Sequence, residues 1–180
     1  MIMTVEELRK YITTDKDDEI LGIMLKAVEQ AIRAYTNNNF TVRSFARICD
    51  IVARTLILEK PAPFEVGDTV YVDGDMNNGI FTVKEANGDT ITVNERSRDE
   101  IDAYVAKVEY PDDVKMGAVS MMRWELENRE KVGIQSESIS RHSVTYADQT
   151  AENTAAGYPE ALMGFLKPYM RARFGRGIGV

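Results

Sequence analysis

Apolar side chains recur at helical spacing at both ends of the chain and closer to every second position through its middle, so the pattern predicts helices flanking a β region. At the start, Thr4-Val5-Glu6-Glu7 has capping-box spacing, with a hydroxyl and a carboxylate placed to satisfy two free amide donors. A short helix is expected from there to about Ile12. A second opens on Asp17-Asp18-Glu19, whose charges suit the positive end of a helix dipole, and carries Ile20, Met24, Val28, Ala31 and Tyr35 on one face. Leu21, Leu25 and Ile32 widen that stripe, and Asn37-Asn38-Asn39 stops the helix.

From Phe40 the period changes. Val42 to Leu58 is rich in β-branched residues but alternates imperfectly; it reads as strand, punctuated by Pro61 and Pro63. Phe64 to Val72 reads as a turn feeding a strand, Asn77-Asn78-Gly79 as a turn, and Ile80 to Val83 as a further strand. Asn87-Gly88 is a hairpin signal before Thr90-Ile91-Thr92-Val93. The spacing predicts a small SH3-like antiparallel barrel or curled sheet.

Helical character returns after Pro111, capped by Asp112 or Asp113 and carrying Val114, Ala118, Met121, Met122, Trp124 and Leu126, with Gly133 as its stop. Ser136 to Tyr146 alternates roughly at Ile139, Val144 and Tyr146, and predicts an extended arm or weak hairpin. Small polar residues from about Asp148 to Gly157 predict a loop. A last helix is expected from Tyr158-Pro159-Glu160, burying Leu162, Phe165, Leu166, Tyr169 and Phe174, with a kink at Pro168.

Composition narrows the class. At 180 residues, 44% apolar and 28% charged, the chain is long enough for one core with an embellishment and too apolar for disorder. The single cysteine, Cys49, excludes an intramolecular disulfide, and the opening residues lack a secretory pattern. No apolar run approaches the roughly 20 residues that cross a bilayer, so a soluble intracellular protein with no membrane partner is expected. The net charge of −7 argues against general affinity for nucleic acid. That average hides an asymmetry. Of 22 basic residues, Lys167, Arg171, Arg173 and Arg176 lie beyond Glu160, where there is no acid, so the first 160 residues set 18 basic side chains against all 29 acids.

Candidate chemistry is sparse. His142 is the sole histidine, and in an extended segment Ser143 points away from it, which suits an arm or interface residue better than a catalytic base. Cys49 lies in an apolar stretch, where a thiol is usually a small buried hydrophobe. Asp73-Gly74-Asp75-Met76-Asn77-Asn78-Gly79 begins like a calcium loop, but its glycine falls one place late and Lys84 stands where the bidentate glutamate belongs. One His and one Cys cannot build a Cys/His zinc site. Glu125, Glu127 and Glu130 read as a solvated helix face, and no glycine-rich nucleotide loop is present. The expectation is a non-enzyme without cofactor or metal.

The strongest functional candidate is the basic, aromatic C-terminus, with Phe165, Lys167, Tyr169, Arg171, Arg173, Phe174 and Arg176 as docking residues. Cations at a helix C-terminus also oppose the dipole favourably without any partner. The apolar side chains among them, and the glycine-rich Gly175 to Val180, favour docking.

From Trp124 to Tyr146, at Gly157-Tyr158-Pro159 and at Leu166-Lys167-Pro168-Tyr169, the chain resembles the head–tail connector (adaptor) proteins of tailed bacteriophages. Thr4-Val5-Glu6-Glu7-Leu8 and the helix end Tyr35-Thr36 are similar too, so the likeness covers mainly residues 1–40 and 111–175. The resemblance implies an α+β chain with a helical connector core at 1–39 and 111–180 and an inserted β module at 40–110. It implies a ring of twelve subunits beneath the portal, in the virion neck after assembly in the host cytoplasm, passing DNA without gripping it. Portal protein, neck or tail-completion proteins and further copies of the chain are the implied partners. On this reading the C-terminal residues dock on portal, and Ile139, Arg141, His142, Val144 and Tyr146 form an inter-subunit arm. A tail-completion or terminator ring, an SH3-like nucleic-acid or peptide reader, and a nuclease or lytic hydrolase are the competing readings.

Overall fold

A computed structural model describes residues 1–128, 136–139, 142–145 and 154–172, in two compact units: one of Met1 with Asn39–Tyr110, the other of Ile2–Asn38 with Pro111–Val180. In the first, six strands run β1 (Arg47–Val52), β2 (Thr55–Leu58), β3 (Thr69–Asp73), β4 (Asn78–Asn87), β5 (Thr90–Val93) and β6 (Glu100–Lys107). They pair antiparallel in the order β1-β2-β5-β4-β3-β6 and close on themselves. Alternate side chains point inward, so Cys49, Ile51, Leu56, Leu58, Val70, Val72, Phe81, Val83, Ile91, Val93, Ala103 and Val105 fill one apolar interior.

The expected fold, a helical connector core bearing a small SH3-like insert, is overturned: the structure is a closed six-stranded antiparallel barrel with, among the described residues, few helices. Two local features hid strands of the barrel. The stretch 42–58 is two strands joined by Ala53-Arg54, both left-handed at φ 48° and 70°, a primed turn made without the Asn-Gly or Asp-Gly signature. The strand that closes the barrel, β6, breaks its own alternation with a bulge at Ile101-Asp102, where Asp102 has φ 57° and two residues oppose one on β1.

The second unit contains α1 (Val5–Arg9), α2 (Asp18–Thr36), α3 (Asp112–Asn128) and α4 (Glu160–Met163). Thr4 and Glu7 form the capping box. On α2 the buried face is Leu21, Leu25, Val28 and Ile32, while Ile20, expected in the stripe, is exposed. On α3, Val114, Ala118, Met121 and Met122 are buried together with Gly117 and Val119, while Trp124 and Leu126 are half-buried. Two short hairpins belong to this unit: β7 (Ser136–Ile139) with β8 (His142–Thr145), and β9 (Thr154–Ala155) with β10 (Tyr158–Pro159).

The last helix is far shorter than expected. Pro168 has no N–H to donate to the carbonyl of Gly164, and its ring would crowd that carbonyl, so the α-helix ends at Met163 and Gly164–Tyr169 tightens into a 3-10 turn. Tyr158-Pro159, expected at the helix start, lies instead in β10, after the left-handed pair Ala156 (φ 52°) and Gly157 (φ 82°).

Candidate functional site

The C-terminal segment is held at three successive levels. Tyr158 is buried, donates its phenol to Glu125 Oε1 at 2.5 Å and sets its ring 5.4 Å from that of Trp124, which moors the hairpin end on α3. Next, Met163 and Leu166 are fully buried and Phe165 lies against α3 at Gly117, where a Cβ would collide with the Phe165 ring. The Tyr169 phenol then donates to both Asp113 oxygens, at 2.8 and 2.9 Å, and this bond raises its pKa above the ordinary 10.0.

Beyond Tyr169 the backbone is extended and clipped to the end of α2. Arg171 N–H donates to the Thr36 carbonyl at 2.8 Å, the Asn38 side-chain amide to the Tyr169 carbonyl at 3.1 Å, and the Asn37 amide to the Ala172 carbonyl at 3.1 Å. Asn37 ends α2 in the left-handed conformation, φ 50°. The asparagines that stop the helix therefore also hold the C-terminal segment. Lys167, Met170 and Arg171 are left exposed, two cations on either side of a methionine.

Of the docking residues expected from sequence, Phe165 and Tyr169 serve as anchors within the unit, Lys167 and Arg171 face solvent, and Arg173, Phe174 and Arg176 lie outside the described residues. Of the expected arm, Ile139 pairs directly with His142 and Val144 with Glu137 in the β7–β8 hairpin, while Arg141 and Tyr146 lie outside the described residues. No family model matches the chain, and no curated protein does.

The remaining candidates resolve into structural roles. Cys49 is buried in the barrel interior, and desolvation, with Asp50 and Glu100 adding to it, pushes its thiol up to about 12, leaving no thiolate for nucleophilic work at neutral pH. The calcium-like loop has the polarity of an anion site. Its backbone N–H groups turn inward and are filled by the chain's own Glu100, which accepts from Asp75, from Met76 at 3.1 Å and from Asn77 at 3.0 Å. Asn77 adds its side-chain amide to Glu100 at 2.7 Å and its carbonyl oxygen accepts from Arg98 N–H at 2.9 Å. A Cβ on Gly74 would stand 2.5 Å from this carboxylate, so any larger residue there would displace the Glu100 side chain from its bonds. Sequence offers no sign of Glu100, because its partners lie 23 to 25 positions away and no local motif marks it. Among the described residues no group of three or more His, Cys, Asp or Glu could hold a metal ion, and no helix is long and apolar enough to cross a membrane.

Proposed function

We propose that this chain is a structural virion protein of a tailed bacteriophage, joining the portal of the head to the neck or tail as a ring that extends the DNA channel. The observation that carries the reading is the clipped C-terminal segment. Its bonds to Thr36, Asn37 and Asn38 hold the chain as far as Ala172, so the basic, aromatic residues that follow in sequence start from a fixed point. A docking element prepared in this way loses little conformational freedom when a partner arrives. The resemblance of residues 124–146, 157–159 and 166–169 to connector proteins supports portal as the partner. The acidic balance of the first 160 residues suits a conduit that passes DNA without binding its phosphates.

The portal contact falls to Arg173, Phe174 and Arg176, which follow the clip in sequence. Deleting residues 173–180 leaves Leu166 and the clip bonds in place. The truncated chain is therefore expected to keep its circular-dichroism spectrum and melting curve while losing at least about tenfold in portal pull-down, the loss expected when a few central contacts carry binding. Undiminished binding by the truncated chain would remove the docking claim.

A further inference from the structure

The outer face of β1, β2 and β6 is aliphatic where a free-standing barrel should be polar. Ile48 and Val52 on β1, Ile57 on β2 and Ile101 in the β6 bulge are 36%, 49%, 45% and 75% exposed, and Asp50 pairs with Ile57 between them. Val52, Asp50 and Ile48 alternate with the inward Ile51 and Cys49, so all three share the outer face of one strand. Each exposed side chain is branched and stiff at or near the backbone, which suits a contact surface better than a solvated one. The bulge brings Asp102 beside Asp50, whose carboxylate accepts the Asp102 N–H at 3.1 Å, and Glu59 follows β2. The strand positions of this face carry no lysine or arginine, the exposed Arg54 and Lys60 lying at its ends in the β1–β2 turn and after Glu59, and residues 39–110 together carry 13 acidic against eight basic side chains.

We infer that this face receives the C-terminal clip of a second copy of the chain, with Met170 on the aliphatic side chains and Lys167 and Arg171 opposite Asp50 and its acidic neighbours. Charge complementarity selects the occupant. The face is apolar and acidic, the clip is apolar and basic, and both are exposed in the single chain. Closure of the barrel removes strand addition as a mode of contact, since β1, β2 and β6 all have both edges paired. Association must therefore run through side chains. A contact between two different surfaces of the same chain is heterologous, and such contacts generate rings when the rotation closes. The inference rests on the ring reading above and supplies its subunit contact.

The test is self-association of the full chain by sedimentation velocity in low salt. The wild-type chain should associate as concentration rises and dissociate as salt screens the contact. Asp50→Arg and Arg171→Glu should each weaken association by about tenfold or more, from like charges brought together, and the double variant should return to within about threefold of wild type. Ile57→Asp should weaken it without rescue by Arg171→Glu. Loss in each single variant with recovery in the double variant establishes the contact. A wild-type chain that stays monomeric throughout, or a double variant as weak as either single, overturns it. Portal pull-down of the wild-type chain separates the two ideas: a wild-type chain that binds portal but stays monomeric removes this contact and leaves the portal reading standing.

Discussion

Leu166→Ala is expected to destabilise the unit formed by 2–38 and 111–172 by about 2–5 kcal/mol, the range for emptying a fully buried leucine site. Leu166 is 0% exposed and sits in the 3-10 turn that carries Phe165 onto Gly117 and Tyr169 onto Asp113. Trp124 is the only tryptophan in the chain and lies 5.4 Å from the Tyr158 ring, so its fluorescence reports unfolding of this unit during urea titration. A lower urea midpoint is expected, together with faster tryptic cleavage after Arg171, whose N–H is bonded to Thr36 in the intact clip. Cleavage unchanged from wild type would mean that the clip holds the segment without Leu166.

Glu100→Gln is expected to lower the melting midpoint of the barrel unit by roughly 4–8 °C at pH 7, the shift that a loss of about 1 kcal/mol makes in a unit the size of residues 39–110. Desolvation pulls the Glu100 carboxyl upward, but the bonds from the Asn77 side chain and from the Met76, Asp75 and Asn77 N–H groups outweigh it, so its pKa lies below the ordinary 4.5. A depressed pKa contributes stability that is present above the unfolded value and is lost as pH falls through the folded one. The gap between wild type and variant should therefore be full at pH 7 and close as the pH falls below the ordinary 4.5 and through the lowered folded-state value. A gap that stays constant from pH 7 to pH 3 would show that the charge on Glu100 contributes nothing to holding the loop.

The elements that sequence made legible are those whose signals are local. The Thr4–Glu7 capping box, the asparagine stop after Thr36 and the Asn87-Gly88 hairpin each act over a few residues and stand where they were expected. The barrel's closure was not legible, because it depends on a turn at Ala53-Arg54 whose left-handed backbone is imposed by the pairing of β1 with β2. It depends as well on β6, whose period is broken at the bulge that turns Ile101 outward. The helical core is what the connector resemblance implies, and that resemblance lies in the terminal segments and does not extend over this irregular middle. The candidate site divides in the same way. That the C-terminus is basic and apolar is plain in the sequence, but its clip joins Asn37 to Ala172 and Asn38 to Tyr169 across more than 130 positions. Helical spacing marked Phe165 and Tyr169 as apolar positions but could not tell that both anchor on α3 while Lys167 and Arg171 are left to solvent.

The exposed aliphatic face of the barrel and the exposed basic clip have a common consequence for solution behaviour. Each is an adhesive surface that a monomer would gain by covering, and the two differ in sign of charge. Assembly on a portal template would bring copies of the chain together at high local concentration, where weak contacts between neighbours become effective.

The measurement that tests the central proposal most directly is electron microscopy of the purified chain mixed with portal. A ring of added density on one face of the portal, coaxial with its channel and absent when residues 173–180 are deleted, is the result predicted. Portal particles unchanged by the intact chain would contradict it.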